Sequence, residues 1–169
     1  MTCARSRSGG RAAYAIVTAG LLAGILDISA AFVLAGARGV APGRVLQGIA
    51  SGVLGAAAFT GAGATAALGL LLHFVIALGA ATAFYLASRV WRPLLRRPII
   101  FGLLYGVAVY AIMNRIVLPL SLIEMRTQPW GYVAILIVIH VLCVGLPISL
   151  TIARLSKRAG TGSPDLATR

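Results

Sequence analysis

The chain has 169 residues, of which 60% are hydrophobic and only 11% charged, with a mean hydropathy of +0.97. A soluble domain is roughly half apolar and a quarter charged, so a water-soluble fold is excluded and an all-α polytopic membrane protein is expected. The formal charge of +12 would suit a nucleic-acid partner if the basic residues shared one water-facing surface. They fall instead in short clusters between apolar runs, the pattern that orients a membrane protein in its bilayer, so no nucleic-acid partner is expected.

Residues 1–11, "MTCARSRSGGR", read as a basic cytoplasmic leader. Apolar runs follow at 12–36, 63–88, 99–123 and 132–153, each longer than the roughly 20 residues that cross a hydrocarbon core. Together, residues 12–153 make one transmembrane helical bundle. Ala35 and Ala37 resemble a signal-peptidase site, but the run before them exceeds a signal h-region and carries Asp27, so it is expected to remain as a span. The tail, 154–169, is rich in Gly, Ser and Pro and is expected to be a disordered cytoplasmic segment.

Residues 45–59, "VLQGIASGVLGAAAF", are apolar but too short to span. Charge counting decides their place. Four spans with a cytoplasmic N-terminus keep Arg5, Arg7, Arg11, Arg89, Arg92, Arg96, Arg97, Arg154, Lys157, Arg158 and Arg169 inside, and only Arg38, Arg44 and Arg126 outside. A fifth crossing would carry the cluster "RVWRPLLRRP" outward, against the positive-inside bias. The segment is therefore expected to be a short non-spanning helix, re-entrant or interfacial, with Gln47, Ser51 and Gly55 along one side and Leu46, Ile49 and Val53 pointing elsewhere.

Each span holds a polar interruption: Asp27, His73, Asn114 with Arg115, and His140. Counted from the outer ends of their spans at 1.5 Å per residue, all five fall about 12 to 15 Å deep, which predicts one intramembrane polar layer. Asp27 has Gly20, Ala23, Gly24, Ala30 and Ala31 on its helix face, and His73 has Ala66, Gly69, Ala77 and Ala80. Such small-residue stripes mark helix contacts, so both side chains should face protein. Arg115 lies half a turn from Gly106 and can instead snorkel, and the facing of His140 is open. Pro119 and Pro147 should bend the third and fourth spans.

Cys3 and Cys143 are expected to remain thiols, and no Cys-x-x-Cys or His-x-x-x-His spacing suggests a metal site. The other acids, Glu124 and Asp165, lie in a loop and the tail, so no catalytic set and no cofactor are expected. The primary reading is a structural or regulatory membrane protein with a buried polar layer. Its basic loop, Arg89, Arg92, Arg96 and Arg97, would bind anionic lipid headgroups, and a homo-oligomer or membrane partner is compatible with it. One alternative is a proton or small-solute pathway through Asp27, His73 and His140. Another is an electron carrier holding haem between His73 and His140, on helices diagonal in an up-and-down bundle. A metal-dependent enzyme built on the same acid and two histidines is disfavoured by the nearby Arg115 cation.

The stretches "GLLAGILDISAAFV", "LQGIASGVLGAAAF", "LGLLLHFVIAL" and "GLLYGVAVYAIMNRIVLPLS" resemble those of small four-span bacterial inner-membrane proteins and, distantly, the YagU-like family. The resemblance implies an inner-membrane location and a link to acid tolerance. It brings no catalytic residue with it.

Overall fold

The computed structural model describes residues 3–123 and 128–160. Glu124, Arg126, Asp165 and Arg169 lie outside the described residues, as do the side chains of Cys3, Arg5, Arg7, Lys157 and Arg158. Among the described residues every regular element is helical, and four helices are long and apolar enough to cross a membrane. This is an all-α, polytopic architecture. Hydrocarbon supplies no hydrogen-bond partner to the backbone, so apolar runs of this length satisfy their amides within their own helices.

Helix α1 (Cys3–Gly36) contains the first span, Gly9–Gly36. Nine residues of the basic leader therefore continue the helix backward. After a turn, α2 (Pro42–Leu54) begins with proline near its N-terminus, where the missing N–H is harmless, and passes into a 3-10 turn, Gly55–Phe59. The second span is α3 (Ala62–Val90). A short α4 (Pro93–Arg96) links it to α5 (Pro98–Ile112), which opens into a π-turn, Met113–Val117. The last span joins α6 (Trp130–Ile139), a second π-turn, His140–Gly145, and α7 (Leu146–Gly160). Helix α7 thus extends seven residues past 153, into the segment that composition alone suggests is disordered.

Both π-turns have the same covalent cause. A proline has no N–H for the carbonyl four residues earlier, and its ring presses on that carbonyl. Those carbonyls belong to Arg115 and Cys143, each inside a π-turn, for Pro119 and Pro147 respectively. At the first, the chain responds with a longer bond, Leu118 N donating to Met113 O at 2.8 Å. The third span accordingly ends at Val117 rather than reaching 123, and residues 118–122 form turns.

Packing depends on the small residues. Gly20 and Gly24 let α1 lie against Leu78 and Phe74 of α3. Gly106 and Gly145 bring α5 and the last span into backbone contact, since a Cβ at Gly106 would meet His140 O at 2.8 Å and one at Gly145 would meet Gly106 Cα at 2.7 Å. Helix α1 also packs along the second π-turn and α7, whereas α3 and α5 stay apart over most of their length. Phe84, Ile148 and Ile152 are fully buried with Ala19 and Ala81, so the bundle core is closely packed on the α4 side.

Gly106→Val should destabilise the protein by about 1–3 kcal/mol through overpacking at this crossing. Gly79→Ala, where the added methyl meets nothing within 4 Å, should stay within about 0.5 kcal/mol of the parent. Reversible unfolding in detergent measures both, and equal losses would contradict the backbone contact.

Candidate functional site

The first two turns of α3 carry α2 across them. Gln47, Ala50 and Ser51 are its buried face, and the Leu46 carbonyl sits against Gly69, where no side chain intervenes. Gln47 Nε2 donates to Ala62 O at 3.1 Å, which ties α2 to the left-handed residue (φ 48°) that starts α3. On the other side of α2, Val45 and Ile49 face inward and cover a cavity of about 260 Å³. Ile49, off the polar strip, is thus a roof residue.

Asp27, His73 and His140 all line this cavity, from the first, second and fourth spans. Ala23, Ile28, Ala77, Val109, Met113 and Val144 make most of the remaining wall apolar. His73 Nε2 lies 2.9 Å from Gly24 O, and since a carbonyl only accepts, that nitrogen carries the proton. The bond fastens the ring one helical turn from Asp27. His140 Nδ1 donates in the same way to Leu136 O at 2.9 Å, within its own helix, and its ring stands edge-on to Tyr110 at 5.4 Å. In its neutral form each imidazole keeps one bare ring nitrogen. Among the described residues Asp27 accepts no hydrogen bond and forms no ion pair, so its carboxylate answers to the cavity.

The other two members of the predicted layer do not line the cavity. Asn114 is half-buried and spends its Nδ2 on Tyr110 O, 2.9 Å away on its own helix. Arg115 is exposed. The π-turn widens the helix from Met113 onward, so Met113 enters the cavity wall while Arg115 points away from it. Among the described residues no three His, Cys, Asp or Glu side chains converge to share a metal ion. The two imidazoles share a wall with Ile28, Ala77, Val109 and Val144, and each has one ring nitrogen engaged by a backbone carbonyl.

Tyr105 is a part of the site that the apolar pattern hides. Its hydroxyl crosses the gap between α3 and α5 to donate to Ala80 O at 2.6 Å, and its ring meets Phe84 edge-on at 4.9 Å. Ala80 lines the cavity, so the tyrosine braces one wall. A signal was present, because a phenol within a span needs a partner. At the α2 end, Arg38 lies 3.8 Å over the Tyr132 ring and Arg44 lies 4.9 Å over Phe59. In the basic loop, Arg89, Arg92 and Arg96 line a separate cleft, while Arg97 is exposed and lines neither it nor the cavity.

Comparison with protein families, curated proteins and solved structures finds no match to this chain. The fold and cavity define its class: a multi-pass α-helical membrane protein.

Tyr105→Phe keeps the ring and removes the bridging hydroxyl. It should cost about 1 kcal/mol, typical of an interhelical hydrogen bond in a membrane, as read from unfolding in detergent. An unchanged stability would mean that the bridge does not hold α3 to α5.

Proposed function

We propose that the Asp27 cavity is a proton-exchanging site on a small-solute pathway through the membrane. The observation that carries this reading is that one carboxylate and two imidazoles line the same largely apolar cavity. Ionisable groups within spans are characteristic of proton relays and solute paths, and imidazole changes charge near neutral pH. All three offer acceptor atoms when the imidazoles are neutral, so the site suits a proton or a small solute with a proton-donating head. The solid packing of Phe84, Ile148 and Ile152 makes the cavity blind at that end, as expected of a carrier that must repack to release its cargo. Titratable groups around it are Asp27, His73 and His140, with Tyr110 adjoining His140.

The arginine-rich end, with Arg11, Arg89, Arg92, Arg96, Arg97 and Arg154, is assigned to the cytoplasm by the positive-inside rule, which places both termini there. A bacterial inner membrane and a role in acid tolerance accord with the YagU-like resemblance. A structural or regulatory role is the second reading, favoured by the His73–Gly24 bond, which couples α1 to α3 whether or not a solute binds.

Proteoliposomes under an imposed pH gradient, with an entrapped pH dye, separate the two readings. Proton flux should fall at least about a hundredfold in Asp27→Asn, the lower end of the range of effects for a positioned proton-transfer group, and its pH profile should move in His73→Gln. Flux at the level of empty liposomes, or equal in parent and variants, would leave only the structural role.

A further inference from the structure

Toward the end of α3, 16 residues beyond His73 and so about 24 Å along the helix axis, two clefts adjoin. The smaller, about 190 Å³, lies between Arg11 of α1 and Arg89 of α3. The larger, about 420 Å³, is lined by Arg89, Arg92 and Arg96. Tyr85, Arg89 and Ser156 belong to both, so Arg89 stands where the two meet. Among the described residues neither wall contains a carboxylate, and the Ser88 hydroxyl at the base of the larger cleft is already bonded to Tyr85 O at 2.7 Å. Four guanidinium groups therefore surround a divided space with no anion of the walls to pair with. From these clefts we infer that this end of the bundle binds a diphosphate-bearing lipid, one phosphate in each cleft and Arg89 between them.

The two-part shape and the shared arginine argue for two linked phosphates rather than one, because guanidinium pairs with phosphate oxygens in directed, bidentate bonds. The surroundings argue for a lipid rather than a free anion. Leu86 and Val90, on the last turn of α3, are exposed by 58% and 90%, and give acyl chains an apolar surface next to the arginines. Trp91 is exposed at the same level, where indoles favour the membrane boundary. Basic pockets between transmembrane helices are suited to such headgroups. The site is independent of the Asp27 cavity and stands whether or not that cavity carries a solute.

The test reconstitutes the full chain in phosphatidylcholine vesicles. Either cardiolipin, with two linked phosphates, or twice as much phosphatidylglycerol supplies the same negative charge. Lipid retained after detergent extraction is counted by native mass spectrometry. The expected result is an enrichment of cardiolipin over phosphatidylglycerol of about tenfold, lost in Arg89→Gln and in the Arg92→Gln/Arg96→Gln pair, and kept in Arg38→Gln. The double variant carries the test if Arg89→Gln fails to fold. Equal retention of the two lipids, or enrichment that survives both sets of substitutions, overturns the proposal. Inorganic pyrophosphate is the soluble arm: if it displaces cardiolipin completely and binds the lipid-free protein as tightly, the site is for a free anion and the lipid assignment falls.

Discussion

A group that needs a hydrogen bond inside hydrocarbon must find it within the protein, and this requirement organises the whole bundle. It makes the four apolar runs helical, because only a helix satisfies its own amides without water. It confines Asp27, the one acidic residue within a span, to a face where other helices can shield it from lipid. It sends the Tyr105 hydroxyl to Ala80, Ser149 to Pro98 and His73 to Gly24, each reaching a carbonyl of another segment. These long-range bonds are few. Close packing at Gly20, Gly24, Gly106 and Gly145 provides most of the remaining cohesion, since lipid leaves little hydrophobic drive between helices.

The two prolines turn this constraint into shape. Each disables an amide and crowds a carbonyl, and the chain compensates by widening the turn before it. One widened turn ends the third span early and rotates the residues beyond Met113. The other lies where Gly145 meets the third span, so the last helix is widened at its closest contact. His140 opens that second π-turn and Met113 opens the first, and both border the cavity. The cavity exists because α3 and α5 remain apart there, with α2 laid over the opening and Tyr105 bracing the wall. A polar site at this depth thus depends on local departures from ideal helix geometry.

These particulars separate what can be read from residue order from what cannot. Four spans and one short helix are legible because hydropathy and length act along the chain, residue by residue. The facing of Asp27 and His73 is legible too, because each shares a helix stripe with small residues. Arg115 shows the limit: its half-turn offset from Gly106 leaves its facing open in the sequence, and it is exposed on a π-turn, Met113–Val117, that residue order does not announce. The haem geometry is not legible in residue order for a different reason. Sequence order suggests which helices are diagonal, but the space between them depends on how tightly they pack, and here α1 lies against both α3 and the last span. Helix continuation through 154–160 escaped composition because a helix already stabilised by packing extends past residues that would not start one.

The protein has two chemically opposite ends. One holds an acid and two imidazoles in an apolar chamber below α2; the other holds guanidinium groups around clefts at the membrane boundary. Everything assigned to the first depends on Asp27 sharing a chamber with both histidines. Nitrogen-15 solid-state NMR of the protein in bilayers, with ring-labelled histidine, tests that arrangement directly, because only His73 and His140 are present to give signals. Replacing Asp27 by Asn should shift the ring-nitrogen resonances of both imidazoles. If both spectra stay unchanged across the pH range, the carboxylate does not face them and the three groups do not share a chamber.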